Sequence, residues 1–392
     1  MRLLCALLLP VVGTAVAAAA EPAAAPNVHC RGSLANSRLQ FESGKGHVAF
    51  LGGSITEMDG FRPMVSDRLK KQFPKCEFAF TNAGIASTCS TTGAFRLATD
   101  VLAKGPVDLL FMEFAVNDDQ DAGHAKRECI RGLEGIIRHL WEHNPNADVV
   151  VAFFVNEGML ADIAAKRTPM VVAAHDAVAA HYQVSSVDLT KEVADRIAAG
   201  KLTWKDYGGV HPAKPGNALA AEQIGIALDT GWKDSLQAKV PHKLPAQPLD
   251  AGNYGHGRFA ALTDAKLGTG WTLEKPMWKQ IPGQWRDRFR EIPLLMATEP
   301  GAELTFQFEG QSVGAYVLAG PDAGKLDASI DGGPVATVEL FHKYSSGLHY
   351  PRTVMFATDL AAGKHTLTLR LGKDKNPGSK GTAARIVQFA VN

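Results

Sequence analysis

The sequence predicts a three-layer α/β/α domain with a parallel sheet, followed by an all-β sandwich. Three observations predict it. From 47 to 231, short apolar runs alternate with longer stretches of helical periodicity. The runs are near-continuous, as suits strands covered on both faces. After Trp232 the helical period is lost, and strand-like runs separated by Gly and Asp-Gly turns take over.

In chain order, the first domain should hold strands at 47–51, 77–82, 108–114, 148–155 and 185–189. Helices are expected near 63–73, 93–103, 124–143, 169–182, 191–199 and 215–229. Strands alternating with helices pair in parallel through right-handed crossovers. The Pro-punctuated stretch QAKVPHKLPAQP (237–248) fits a linker or a strap laid across the surface. Beyond it, strands are expected at 303–308, 312–318, 326–330, 336–340, 365–371 and 384–391. Turns at Glu309-Gly310, Asp331-Gly332-Gly333 and Gly363-Lys364 separate them. The expected division is a signal peptide over 1–20, an α/β domain over 28–233, a linker over 234–250 and a β sandwich over 251–392.

With 392 residues, 46% of them apolar, the chain can bury more than one core. Lys+Arg number 41 and Asp+Glu 40. That balance argues against nucleic acid and against electrostatic adhesion to a membrane. Arg2, the apolar run 3–16 and an A-x-A site within 17–20 read as an export signal, so a periplasmic or secreted protein is expected. Cys30, Cys76, Cys89 and Cys129 remain after its removal. They form one or two disulfides or stay as buried thiols. Their spacing fits no metal motif, and no metal or other cofactor is expected.

The chemistry centres on FLGGSIT (50–56). Ser54 follows an apolar run and a Gly-Gly pair, glycines that permit φ > 0 and close backbone approach. A serine nucleophile needs a base, an orienter for that base, and donors for a developing oxyanion. Gly84 in NAGIAST (82–88) offers a backbone N–H without a side chain in the way, or is an ordinary turn glycine. Asn117 in FMEFAVNDD (111–119) offers an amide donor, or bonds its own turn. Asp118 and Asp119 read as caps of the next helix. His211 in WKDYGGVHP (204–212) sits in a loop fixed by Pro212, placed for acid–base work. Asp206 is the nearest upstream carboxylate. In an open parallel sheet, sites form at the carboxyl ends of strands, where these blocks fall.

Ser54 in GGSIT, Gly84 in NAGIAS, Asn117 in AVND and His211 in GGVHP stand in the order of the four marker residues of the SGNH (GDSL-type) hydrolase superfamily. The resemblance covers about 47–231. Its GGSIT variant and EFAVND block look like exported bacterial esterases. It implies a flavodoxin-like fold and a metal-independent serine hydrolase. Ser54 would be the nucleophile and His211 the base; the Ser54 N–H, the Gly84 N–H and the Asn117 side chain would form the oxyanion hole. One departure stands out. The resemblance places an acid three residues before the His, where this chain has Gly208; Asp206 lies five before. A bulge at Gly208-Gly209 would restore Asp206 as the third catalytic member. Otherwise a backbone carbonyl or another carboxylate orients His211, or the pair works as a dyad.

Arg62 and Glu57 read as charges near the turn, and Glu113 as an unusual carboxylate among apolar neighbours, buried and supporting the site or simply structural. An exported esterase with an added sandwich points by analogy to O-acetyl esters on a carbohydrate. The alternatives are an arylesterase or acyltransferase on the same acyl-enzyme, and a non-catalytic glycan-binding protein. HKYSSGLHY (342–350) and NYGHGRF (253–259) are candidate sugar contacts or packing residues.

Overall fold

A computed structural model describes residues 25–392. The export signal expected at 1–20 lies outside the described residues.

The first domain is organised by strands β1 (Val28–His29), β2 (Lys45–Gly52), β3 (Glu77–Gly84), β4 (Leu109–Glu113), β5 (Asp148–Ala152) and β6 (Ser185–Val187). They lie in the order β1-β6-β5-β4-β2-β3. All pairings are parallel except the short edge β1–β6. The parallel strands thus run in flavodoxin-like order, with the direction of winding reversing between β2 and β4. The helices are α1 (Ala35–Glu42), α2 (Ser54–Glu57), α3 (Phe61–Gln72), α4 (Ser90–Asp100), α5 (Lys126–His143), α6 (Glu157–Ala164), α7 (Met170–His181), α8 (Leu189–Ala198), α9 (Trp204–Tyr207) and α10 (Lys214–Gly231).

The continuous apolar strands are explained by two cores, one on each sheet face. Ala49, Leu51, Leu110, Met112, Val149 and Val151 point into one. Val48, Phe50, Leu109, Phe111 and Val150 point into the other, where Phe50 and Phe111 stack at 5.0 Å. Every expected strand and helix of this domain is present, with ends shifted by a few residues. The short elements β1, α1, α2, α6 and α9 have too few turns or rungs to set a period.

The stretch after Trp232 lies as a strap on the α/β domain. His242 Nε2 is 2.8 Å from Asp148 Oδ1 and its ring stacks on Trp141 at 4.8 Å. The amides of Leu249 and Asp250 donate to Glu134 at 2.7 and 2.9 Å.

The second domain contains β7 (Arg258–Ala260), β8 (Ala265–Leu267), β9 (Thr272–Glu274), β10 (Leu294–Ala297), β11 (Glu303–Gly310), β12 (Val313–Ala319), β13 (Lys325–Ile330), β14 (Val335–Glu339), β15 (Tyr350–Ala357), β16 (Gly363–Leu371) and β17 (Ala384–Val391). One antiparallel sheet runs β15-β12-β17-β10-β9, with β7 on β17; the other runs β14-β13-β16-β11-β8. Alternating β11 faces its apolar side inward, where Phe306 stacks on Phe389 at 4.2 Å. In contrast β12 is buried on both faces, because the sheet packs against its partner sheet and against the layer of Trp278, Phe289 and Leu294. Strands β7–β10 escape a sequence reading because each is three or four residues long. β15 escapes it because it starts at Tyr-Pro inside a polar-looking stretch.

The two domains share packing. Tyr254 and Ala390 are buried in the α/β core cluster. Arg131, 1% exposed at its side chain, meets Asp250 at 3.1 Å and also binds Asp359. Among the described residues, no helix is long and apolar enough to cross a membrane.

Candidate active site

Ser54 emerges at the winding reversal. At the last rung of the sheet Gly84, Gly52 and Glu113 stand side by side, and the chain leaves β2 through Gly53 into α2. Neither Gly52 nor Gly53 has positive φ; Gly53 sits at φ −87°. The expectation of left-handed glycines is therefore corrected: space is what these positions require. A Cβ on Gly52 would lie 2.1 Å from Thr56 Oγ1, and one on Gly53 would lie 1.9 Å from Asn117 Oδ1. Only glycine lets the serine turn press against the Asn117 turn.

His211 Nε2 is 2.8 Å from Ser54 Oγ. The loop carrying it is aimed by Gly208 at φ +105° and Gly209 at φ +80°, a left-handed pair that closes α9 and turns the chain back. A Cβ on Gly208 would fall 2.0 Å from the Ala213 nitrogen. Asn217 Nδ2 anchors the far end by donating to the Pro212 carbonyl at 2.6 Å.

Asp206 is not brought to His211. It lies in α9, where the Thr203 hydroxyl donates to its carboxylate at 2.5 Å and its amide donates to Thr203 Oγ1 at 3.1 Å. Thr203 thus caps α9 and its hydroxyl also holds the Asp206 carboxylate. The Gly208-Gly209 pair forms a helix stop and turn, not a strand bulge. Among the described residues no hydrogen bond forms at His211 Nδ1, so the structure presents a serine–histidine pair.

Asn117 begins the turn Asn117–Asp121 at the end of β4 and is 2% exposed. Its Nδ2 donates to Asp121 Oδ2 at 2.6 Å, which fixes the amide with its NH₂ toward that carboxylate. The second N–H of that group is free to serve a ligand.

Gly84 is placed differently from its expected role. Its N–H donates to Asn82 Oδ1 at 2.9 Å, and its missing side chain makes room for the Glu57 backbone, which a Cβ would approach to 2.2 Å. In the loop that follows, the Ile85 amide binds the Gly52 carbonyl, Ala86 binds Glu57, and Thr88 binds the Ile85 carbonyl. Ser87 is the residue between Gly84 and Thr88 whose amide has no acceptor among the described residues. Its φ is +71°, a conformation unusual for a side chain larger than glycine. The second domain holds it there: Arg286 Nη2 donates to Ser87 Oγ at 2.7 Å, Arg286 Nη1 donates to the Ala86 carbonyl, and the Tyr350 hydroxyl donates to the Ser87 carbonyl at 3.3 Å.

Two buried groups underlie the turn. Arg96, 1% exposed, donates to the carbonyls of Ala83 at 2.5 Å and Gly52 at 2.9 Å, tying the ends of β2 and β3 together. Glu113, also 1% exposed, accepts from Thr56 Oγ1 at 3.1 Å while its Oε1 has no partner. Burial pushes its carboxyl from 4.5 up to about 8, so it is protonated at neutral pH. Arg62 and Glu57 brace the site: Arg62 Nε donates to the Thr56 carbonyl at 3.2 Å, and Glu57 pairs with Arg288 of the second domain at 3.2 Å. Arg96 and Ser87 are the residues sequence reasoning missed. An Arg inside an apolar helix face was a usable signal for the first.

The pair Ser54–His211, with N–H donors on the opposite wall, can activate a hydroxyl and stabilise a developing oxyanion. Residues 50–219 match the family model described as the GDSL-like Lipase/Acylhydrolase family. A two-domain esterase active on acetylated mannans, co-crystallised with mannopentaose, superposes with a TM-score of 0.73 at 20% identity, over 93% of this chain and 96% of its own. The same esterase without that ligand gives 0.72 at 20% identity, over 93% and 97%. An acetylxylan esterase from Geobacillus stearothermophilus covers 49% of this chain and 99% of its own at 20% identity, with a TM-score of 0.39. No curated protein matches the chain.

Proposed function

We propose that this chain, whose residues 50–219 match the model of the GDSL-like lipase/acylhydrolase family, removes O-acetyl groups from a carbohydrate polymer with Ser54 as nucleophile and His211 as base. The chain is a carboxylic ester hydrolase; the substrate and the residue roles are our reading. The observation that carries it is the 2.8 Å contact between Ser54 Oγ and His211 Nε2 at the winding reversal of the sheet.

In that reading Ser54 Oγ attacks the ester carbonyl carbon and its proton passes to His211 Nε2. The carbonyl electron pair moves to oxygen, which faces the Ser54 N–H, the Asn117 amide and the Ser87 N–H, in place of the Gly84 N–H. The tetrahedral species collapses and the sugar oxygen leaves with the proton from His211. Water then attacks the acetyl-serine, giving its proton to His211, and acetate leaves as Ser54 regains its own. Without a carboxylate on Nδ1, His211 works with Ser54 as a dyad.

Two observations support a polymeric carbohydrate. The two-domain similarity spans nearly the whole of both chains, and that relative acts on acetylated mannans. The second domain also supplies the rim: Lys343 donates to the Gln120 carbonyl, His342 Nε2 donates to the Asp121 carbonyl at 2.7 Å, and Tyr344 remains 42% exposed beside them. An exposed aromatic ring beside an active-site turn suits stacking on a sugar face. The reading extends to export, resting on the apolar N-terminal run; N-terminal sequencing of the mature protein from cell fractions checks it.

The test is acetate release from acetylated mannan, xylan and a small ester, 4-nitrophenyl acetate. Tyr344→Ala is expected to raise KM for the polymer and leave the small ester unchanged. Equal losses on both substrates would remove Tyr344 from recognition. Release from the small ester alone would count against a polymer substrate.

A further inference from the structure

Next to the oxyanion wall, but outside the serine site, the fold gathers side chains that neither the proposed mechanism nor the sequence spacing accounts for. Cys89 precedes α4, Asp118 follows Asn117, and His124 leads into α5. One ligand atom from each lies within 4.8 Å of the other two. The residues are separated by 29 and 6 positions along the chain, so no local motif announces them. We propose that Cys89, Asp118 and His124 form a binding site for one divalent transition-metal ion of the zinc class.

The donor set selects the ion. One thiolate sulfur, one imidazole nitrogen and one carboxylate oxygen suit zinc and disfavour magnesium or calcium, which want oxygen alone. A tetrahedral zinc centre with bonds of about 2.0–2.3 Å needs its ligand atoms roughly 3–4 Å apart, a small contraction from the observed cluster. Thiolate and carboxylate balance the ion's two charges, so the loaded centre is neutral, as a buried site requires. As the metal–sulfur and metal–nitrogen bonds form, the one proton held by the Cys89–His124 pair leaves to solvent, so Cys89 enters as thiolate, His124 as the neutral ring and Asp118 as carboxylate.

The surrounding groups fit. His124 Nδ1, 3.6 Å from Asp118 Oδ1, is buried and has no hydrogen-bond partner. Asp118, fully buried, is already oriented: the Ser90 amide and hydroxyl donate to it at 2.7 and 2.6 Å, and His175 Nε2 lies 2.9 Å away. Such outer partners fix the direction of a ligating carboxylate. With three protein ligands a fourth position is open. Cys89 and His124 line an inter-domain cavity of about 260 Å³ with Asp121, His342, Tyr350 and Arg352 on its other side. A water on the ion would project there. An ion here would clamp the loop carrying Ser87 to the turn carrying Asn117, so its expected role is to stiffen that wall.

The site stands apart from the proposed ester chemistry, and its test does not rely on turnover. Full-length protein, stripped with a chelator and dialysed under reducing conditions, is titrated with Co²⁺. The expected result is saturation at one ion per chain with a sulfur-to-cobalt charge-transfer band in the near ultraviolet, lost on adding Zn²⁺. Zn²⁺ is also expected to raise the melting temperature. Cys89→Ser should lose the band and His124→Ala should weaken binding at least about tenfold. Cys129→Ser and Ser54→Ala should keep both band and stoichiometry. Absence of the band and of Zn²⁺ stabilisation in the wild-type protein would overturn the proposal without touching the serine mechanism. So would a band that survives Cys89→Ser and vanishes in Cys129→Ser. Because the wild-type titration alone decides, a variant that fails to fold leaves the test intact.

Discussion

On one side of Ser54, the loop from Ile85 to Ser90 and the turn from Asn117 to Asp121 are buried or half-buried and cross-bonded to each other, to Glu57 and to the second domain. On the other side, His211 is exposed, hangs between a Gly-Gly turn and Pro212, and among the described residues makes one side-chain hydrogen bond, to Ser54 itself. The contrast follows from what each side does in the proposed reaction. Donors for an oxyanion are effective only when they are aimed beforehand and need not reorganise. A base that takes a proton and returns it to a departing sugar must reach both solvent and leaving group. A further contrast lies in the carboxylates. Buried Asp118 has two histidines beside it. Burial alone would raise its carboxyl, but the neighbouring His124 and the His175 hydrogen bond outweigh that and hold it well below the ordinary range. Among the described residues no carboxylate bonds to exposed His211. The well-oriented acid–histidine arrangement of this molecule is therefore not the one that touches Ser54.

Removing either member of the pair should have the largest effect. Ser54→Ala and His211→Ala are each expected to lower kcat for 4-nitrophenyl acetate by on the order of 10⁴, with the circular dichroism spectrum unchanged. Near wild-type turnover in either would separate that residue from the chemistry.

The rigid side should respond less. Asn117→Ala is expected to lower kcat by about 10²–10³ with KM little changed, the usual loss for one oxyanion donor. A change confined to KM would move Asn117 to substrate recognition and dissolve the contrast between the two walls.

Beneath the rigid side, Glu113 sets a pH dependence of stability. Its carboxyl is raised from 4.5 to about 8 in the folded chain. The folded state therefore keeps a proton that the unfolded state releases. The stability it contributes is complete below pH 4.5 and is lost as pH rises through about 8, at up to roughly 1.4 kcal/mol per pH unit. Glu113→Gln should remove this slope, so its melting temperature should gain on the wild type between about pH 5 and pH 8. Parallel curves would mean that Glu113 is ionised in the fold.

The smallest effect is expected at Asp206. Asp206→Asn preserves the cap on α9 and should change kcat by less than about threefold; the loss of a carboxylate that orients a catalytic histidine costs about 10⁴. A loss near that size would show that Asp206 reaches His211 in the working enzyme.

Much of this was legible in the sequence. The apolar runs fixed at 47–51, 108–114 and 148–155 became strands because each is buried on both faces, a condition that leaves a continuous signature. That Ser54, Asn117 and His211 lie near one another was legible because each ends a periodic block at a strand end or precedes a helix. Asp206 was misjudged because proximity in sequence cannot reveal that Thr203, three residues earlier, would claim it. Gly84 was misjudged because a glycine needed for room against Glu57 looks the same as one needed for a free N–H. Ser87 carried no signal at all: the Arg286 side chain that bonds its hydroxyl comes from some two hundred residues away. The cluster of Cys89, Asp118 and His124 was invisible for the same reason, being assembled by packing of α4 on α5.

The central claim is that the hydroxyl of Ser54 is the nucleophile, activated by its contact with His211. Labelling the full-length enzyme with a fluorophosphonate and mapping the adduct by peptide mass spectrometry tests it most directly. One adduct per chain is expected, on Ser54, formed in step with loss of esterase activity and much more slowly in His211→Ala. An adduct on any other residue, or full activity after Ser54 is completely labelled, would contradict it.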